Sequence, residues 1–328
     1  MQQRSLGNTG IRVSEIGFGA WAIGGAAEAS GTPLGWGRTN DDDSLAAIRR
    51  ARDLGVNFFD TADSYGFGRS ESLLGIVLSR ARQSVIIATK VGVMRMGDGS
   101  LKKDFSREHI FHAVDGSLKR LRTDYIDLYQ VHNPTLDQLR REEIQEAMAR
   151  LQEIGKIRYW GVSISTVDEG VEIINRGWGN ALQVLYNVLN QEPALALFPL
   201  AKQKGYGIIA RVPLGSGLLT GKFRADSTFA VDDVRQNFLT TKRLEEVNAR
   251  VDEMRSIVGG ATKSLTDAAL QFVLADDAVS STIPGARNAR QVEMNVAAAE
   301  SRLPSEVVER LRTRLGDYNF YARHGIRI

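Results

Sequence analysis

Four residues of the kinds that move protons fall in the first half of the chain: Asp60, Tyr65, Lys90 and His132. Three of them close short apolar runs. Asn57–Phe58–Phe59 ends on Asp60, VIIAT runs into Lys90, and YIDLYQV ends on His132. Tyr65 follows Asp60 by five residues, in the glycine-bearing stretch DTADSYGFG. Each has an ordinary explanation when taken singly. An aspartate after a strand is a turn or cap residue, and a lysine there snorkels to water. A lone histidine is a hydrogen-bonded structural group, and a tyrosine among glycines packs. An acid, a lysine and a histidine at three successive strand ends form a less ordinary pattern. A phenol has a pKa of ~10 and is a poor acid at neutral pH. A nearby ammonium stabilises the phenolate and lowers that value, and a carboxylate beside the ammonium keeps it charged and oriented. The product is a tunable general acid, suited to protonating a carbonyl oxygen during hydride delivery. The imidazole orients the carbonyl and shares the proton traffic.

These side chains meet only if the strand ends lie on one rim. Gly7–Asn8–Thr9–Gly10 is turn chemistry and predicts an N-terminal hairpin. After it, strand and helix patterns alternate. Strands are predicted at Glu15–Gly19, Val56–Phe59, Val85–Thr89, Tyr125–Val131, Tyr159–Ser163, Ala181–Tyr186, Gly207–Val212 and Ser280–Ile283. Helices are predicted at Asp43–Leu54, Ser70–Leu78, Arg107–Leu121, Arg141–Ile154, Val167–Arg176, Ala194–Lys204, Lys242–Val258, Leu265–Leu274 and Ala289–Ala299, with an extra C-terminal helix at Ser305–Leu315. Eight β-then-α units in ~250–320 residues fit an α/β protein of the (β/α)8 TIM-barrel class, read as one domain over residues 1–328. Catalytic groups of such a barrel sit at the C-terminal ends of its strands. The alternative is a doubly wound sheet, which needs a glycine-rich turn opening a helix after the first strand. Gly17–Phe18–Gly19 is followed by Ala20, Trp21 and Ala22 and then by Gly24–Gly25, so no helix opens there.

Composition removes several classes. The 328 residues are 43% hydrophobic and 25% charged, the balance of a soluble globular protein. No run of 18 apolar residues predicts a membrane span, and MQQRSLGNTG lacks a signal core. There is no cysteine, which removes disulfide and thiolate chemistry and fits a cytoplasmic location. No metal is called for. The net charge of +3 is spread along the chain, so no nucleic-acid partner is expected. The mild cationic excess favours a phosphorylated small molecule. No strip of exposed apolar residues identifies an oligomer interface, so the oligomeric state is left open.

DTADSYG, the ATK strand end, YIDLYQVH and STIPGARNARQVEMN, in that order and spacing, resemble the aldo-keto reductase superfamily. The likeness runs from GNTGIRVSEIGFGAW onward and is greatest to bacterial reductases that carry VPLGSGLLTGKF. The resemblance implies a barrel that binds NADP(H), with NAD(H) as the alternative, and a tetrad of Asp60, Tyr65, Lys90 and His132. Tyr65 would be the general acid/base, Lys90 and Asp60 its tuning pair, and His132 the group that orients the substrate carbonyl. For the cofactor it implies Asp60 and Gly19, Ala20 and Trp21 at the nicotinamide end, and Ser163 and Gln183 on the carboxamide. Val212, Pro213, Leu214, Gly215, Ser216 and Leu218 would fold over the pyrophosphate, with Lys222 reaching a phosphate. Gly285, Arg287, Gln291 and Asn295 would hold the adenosine and 2′-phosphate end.

Three positions depart from the family pattern. Ile164 follows Ser163 where many members have Asn, so one carboxamide hydrogen bond must come from elsewhere. Arg211 stands where many have an aromatic ring against the nicotinamide; a guanidinium plane also stacks. Gly285 replaces a lysine found in some members, which leaves the 2′-phosphate to Arg287. Three stretches, Val91–Phe105, Phe223–Leu239 and Tyr318–Ile328, are expected to wall the substrate site, and the second to clamp the cofactor. The substrate is expected to be a small or medium aldehyde, ketone or sugar. Alternatives are an NAD(P)-dependent sugar dehydrogenase and a non-catalytic cofactor-binding regulatory subunit on the same fold.

Overall fold

The computed structural model describes residues 1–326. Its central strands are β1 Phe18–Gly19, β2 Phe58–Asp60, β3 Ile86–Val91, β4 Ile126–His132, β5 Ile157–Ser163, β6 Ala181–Leu185, β7 Gly207–Arg211 and β8 Val279–Thr282. All are parallel and hydrogen-bonded in chain order. The sheet then closes on itself. Gly17 N–H donates to Thr282 O at 2.8 Å, Thr282 N–H to Glu15 O at 2.9 Å, and Gly19 N–H to Pro284 O at 3.1 Å. Closure excludes the open doubly wound sheet, and the chain forms the (β/α)8 barrel. The first strand is shorter than the predicted Glu15–Gly19, because only Phe18–Gly19 pairs regularly with β2.

The outer ring contains α1 Asp41–Asp53, α2 Arg69–Leu78, α3 Arg107–Leu121, α4 Glu142–Glu153, α5 Val167–Arg176, α6 Leu197–Lys204, α7 Thr241–Val258, α8 Leu265–Leu274, α9 Ala289–Ala297 and the added α10 Ser305–Leu315. Several starts are written in the sequence as caps. Asn40, Ser106, Ser264 and Asn288 each accept from a backbone N–H three residues on, and Thr166 with Glu169 forms a full capping box. The predicted helix Ala194–Lys204 starts late, at Leu197. Pro199 has no N–H to bond backward, so it is tolerated only in a first turn. A separate 3₁₀ turn covers Glu192–Ala194. Two short hairpins, Glu28–Ala29 with Thr32–Pro33 and Val93–Arg95 with Leu101–Lys103, stand in the loops after β1 and β3. Among the described residues no helix is long and apolar enough to cross a membrane.

The barrel interior is layered by the two-residue alternation of strand side chains. Phe58, Ala88, Leu128, Ala181, Ile209 and Ile283 form one apolar layer. The hairpin Gln3–Ser5/Arg12–Ser14 plugs the lower end with Leu6, Ile11 and Val13, which join that cluster. Two residues further along five of these strands stand Asp60, Lys90, Gln130, Gln183 and Arg211. The upper layer is therefore polar by register alone. A larger apolar cluster lies between strands and helices.

Barrel closure leaves no room at Gly19, where an added Cβ would lie 2.4 Å from Ile283 O. Overpacking of this kind costs about 1–3 kcal/mol. Gly19→Ala is expected to lower the urea midpoint with an unchanged m-value; an unchanged midpoint would show that β1 and β8 separate freely.

Candidate active site

Asp60 and Lys90 are both buried at the centre of the upper layer. Lys90 Nζ donates to Asp60 Oδ1 at 2.6 Å, to Thr61 O at 2.8 Å and to the Tyr65 hydroxyl at 3.2 Å. An ammonium has three protons, and each has an acceptor. The other carboxylate oxygen, Asp60 Oδ2, accepts from Gln130 Nε2 at 2.9 Å and Gln183 Nε2 at 2.8 Å. A buried ion pair is tolerable only when such bonds satisfy both ions.

Tyr65 reaches back over the mouth on the loop between β2 and α2. Its ring stacks on Trp21, with centroids 6.1 Å apart, and meets His132 edge-on at 6.0 Å. The four proton-moving residues are thus brought together. Burial raises the Tyr65 pKa above its ordinary value, against the downward pull of Lys90. This corrects the expectation that Lys90 lowers it overall: in the packed mouth desolvation of the phenolate outweighs the ammonium, whose charge Asp60 also offsets. Burial alone would lower the Lys90 pKa, but Asp60 and then Tyr65 more than compensate, and it is raised. Burial, followed by the charges of Lys90, Arg211 and Lys103, holds His132 well below the usual imidazole range. Its Nδ1 is buried with no hydrogen-bond partner. The mouth therefore presents a neutral phenol, a neutral imidazole and a fixed ammonium. That set can bind a carbonyl oxygen and hand it a proton.

The positions expected to hold a cofactor divide into groups. Gly19, Ala20 and Trp21 lie at the end of β1, with Trp21 edge-on to Trp36 at 5.1 Å. Ser163 Oγ donates to Asn133 Oδ1 at 2.9 Å, which sets a second carboxamide side chain beside Ser163 where Ile164 offers none. The amide nitrogen of Gln183 is committed to Asp60. Arg211 ends β7, and its guanidinium donates to Ile164 O at 3.2 Å. After it the backbone turns left-handed at Val212, Gly215, Ser216 and Gly217, and within the run Gly215 N–H donates to Val212 O at 3.0 Å and Gly217 N–H to Leu214 O at 2.9 Å. Ser216 is pinned by a 2.8 Å hydrogen bond between its hydroxyl and that of Tyr321. Pro213 and Leu218 are buried, and Leu218 belongs to the main core. Leu214 packs against the same core.

At the far end, Gln291 Oε1 accepts from Arg287 N–H at 2.8 Å, and Asn295 Nδ2 donates to Gly285 O at 3.4 Å. These two side chains shape the loop, and Arg287 Nη2 donates to Trp36 O. Burial and the charges of Arg235 and Arg287 lower the Lys222 pKa; burial and Arg235 do the same to Arg287. Lys222, Arg235 and Arg287 thus converge beside the left-handed run, a donor set that fits a phosphorylated ligand.

Arg235 and Asp233 were not assigned from sequence, and Trp36 was expected only as an apolar wall of the substrate pocket. Arg235 is held by Asp233 at 2.9 Å and lies over the rings of Trp36 (4.6 Å), Phe223 (5.2 Å) and Phe229 (5.1 Å). Val234 N–H donates to Gly35 O at 2.8 Å and Arg38 N–H to Asp232 Oδ2 at 3.0 Å. The Phe223–Leu239 stretch is therefore knitted to the loop after β1. Nothing local in the sequence announces that pairing. Gln130 was not assigned either, although it shares strand parity with His132 and that parity points it to the same layer. Of the expected wall Tyr318–Ile328, the last two residues lie outside the described residues.

The barrel mouth gathers a phenol, an ammonium, a carboxylate and an imidazole beside a groove lined by Lys222, Arg235 and Arg287. The family model for the Aldo/keto reductase family matches residues 15–314, and the chain belongs to that family of oxidoreductases. Aldo-keto reductase YhdN of Bacillus subtilis (strain 168) is 34% identical over 298 residues, covering 89% of this chain and 87% of the relative. L-galactose dehydrogenase of Arabidopsis thaliana is 33% identical over 308 residues, covering 91% and 88%. The holo form of aldo-keto reductase AKR11C1 from Bacillus halodurans superposes with a TM-score of 0.80 at 30% identity, covering 95% of this chain and 96% of that one.

The lowered His132 pKa gives a direct expectation. The imidazole stays neutral at pH 6, below its ordinary value of ~6.5, and its ¹⁵N shifts should show one protonated nitrogen. A doubly protonated ring at pH 6 would contradict the desolvated site.

Proposed function

We propose that this protein is an NADP(H)-dependent reductase of small or medium aldehydes, ketones or sugars, with Tyr65 as the general acid. The observation that carries the reading is the Lys90 ammonium, fixed by Asp60 and donating to the Tyr65 hydroxyl. When bound, the nicotinamide supplies the hydride. Tyr65 donates its proton to the carbonyl oxygen, and the phenolate so formed is stabilised by Lys90, which is already in contact. Here the ammonium acts where charge develops, which is where it is worth most. Neutral His132 orients the carbonyl without competing as an acid. Trp21 and Trp36 line the mouth and exclude water. Lys222, Arg235 and Arg287 would hold the phosphates, with Arg287 reading the 2′-phosphate. Asn133 and Ser163 would share the carboxamide.

The same groups run the reaction backward, with Tyr65 as base. The likeness to an L-galactose dehydrogenase supports that second reading, oxidation of a sugar hydroxyl with NAD(P). A regulatory subunit without chemistry has less support, because binding alone has no need of the complete Asp60–Tyr65–Lys90–His132 set.

Tyr65→Phe is expected to lower kcat by roughly 10²–10⁴-fold, the usual worth of a general acid, while the NADPH Kd from fluorescence titration stays within about twofold. Turnover near normal would remove Tyr65 from the role. Arg287→Ala should weaken NADPH by about 10–100-fold, the worth of one charged hydrogen bond, and NADH much less. Equal losses for both cofactors would mean that Arg287 does not read the 2′-phosphate.

A further inference from the structure

Beneath the loop that carries Tyr65 lies a second ionisable cluster which the proposed chemistry leaves unused. Asp63 stands on that loop between Asp60 and Tyr65. Its N–H donates to Lys90 O at 3.4 Å, and its Oδ1 is buried with no hydrogen-bond partner. Glu71, in the first turn of α2, is fully buried. It accepts from Thr89 Oγ1 and from Arg120 Nε, each at 2.6 Å. Tyr129, on β4, is fully buried and its hydroxyl also lacks a partner. Asp63 and Glu71 both act on that phenol, with Arg120 and Asp115 of α3.

The charges do not balance. Asp60 takes Lys90 and Glu71 takes Arg120. Asp63 is the third carboxyl, and neither cation is left for it. Asp63 as a residue is half-buried, but its Oδ1 is shut off from water without a hydrogen-bond partner, and a carboxyl oxygen so placed without a counter-charge favours keeping its proton. Burial, and then the neighbouring Glu71, push Asp63 up to about 8, against Arg120, a backbone bond at Ser64, and Lys90. Above that pH a carboxylate appears two residues from the phenol, facing Glu71. It gains either by turning to water or by competing for Lys90. Competition for Lys90 takes the ammonium from the Tyr65 hydroxyl, and beside the phenol the loop backbone is held by Tyr65 N–H to Ala62 O and Ser70 N–H to Tyr65 O, both at 3.2 Å.

We propose that Asp63 is a positioning residue for Tyr65: as the neutral acid it lets the loop seat the phenol over Lys90, and its ionisation unseats it. The loop thus carries an alkaline switch separate from the titration of Tyr65, which lies higher.

Two readouts test this on the full chain with Asp63→Asn, which fixes the neutral form. The first rests on the proposed reductase activity. Wild-type kcat/KM for carbonyl reduction should fall roughly tenfold per pH unit above about 8, as a single ionisation dictates. Asp63→Asn should match wild type at pH 7 within about threefold and stay level to pH 9. The second needs no turnover. Trp21 stacks on Tyr65, so its emission reports the seat; a transition near pH 8 is expected in wild type and not in Asp63→Asn. Asp63→Ser gives the same comparison if the amide disturbs packing. An alkaline limb or emission transition that persists unchanged in the variants, or is missing from wild type, overturns the proposal. Absence of all turnover overturns the reductase reading instead, and the emission titration then decides for Asp63 alone.

Discussion

Everything at the barrel mouth hangs on one buried contact, Lys90 Nζ to Asp60 Oδ1. Two ions taken out of water cost several kcal/mol each, and the surrounding residues are arranged to offset that cost. Thr61 O and the Tyr65 hydroxyl take the remaining ammonium protons, and Gln130 and Gln183 cover the second carboxylate oxygen. The strand register is part of the same solution. β2, β3, β4 and β6 each deliver one polar side chain two residues above an apolar one. A register slip of one residue in any of them would turn that side chain into the helix layer. Order at the mouth and order of the barrel are therefore the same constraint.

The second organising contact lies across the mouth. Arg235 joins the late loop to the early one through rings, while Asp233 and Asp232 supply the opposing charge. Burial first, and then the nearby charge of Arg235, lowers the pKa of both Lys222 and Arg287. Like charges brought together in a half-buried groove are costly without an anion between them. This local frustration suits a polyanionic ligand and explains why the groove spends so many aromatic faces on a single guanidinium.

Much of this was legible in the sequence, and the reasons are local. Strand ends, caps at Ser106, Thr166 and Asn288, and the turn at Gly7–Gly10 depend on neighbours within a few residues. The meeting of Asp60, Lys90 and His132 followed from counting eight units, because a closed barrel puts all strand ends on one rim. What the sequence hid is non-local or a balance of opposed effects. The Trp36–Arg235 contact spans loops with no periodic pattern. The late start of α6 turns on one proline. The direction of the Tyr65 shift is a contest between desolvation and Lys90, whose outcome depends on how tightly Trp21 and His132 enclose the ring. Gln183 shows the same limit: its inward parity was readable, but not that Asp60 would claim its amide.

The hairpin at the lower end has a consequence for traffic. Leu6, Ile11 and Val13 fill that opening, and Tyr159 ties the hairpin tip by donating to Thr9 O at 2.5 Å. Among the described residues the lower end of the barrel is thus filled by side chains, and the buried Lys90 lies under Tyr65 at the other end. The ammonium of Lys90 is already without solvent exposure and its three hydrogens are taken by Asp60, Thr61 and Tyr65, so their exchange with water is expected to be slow.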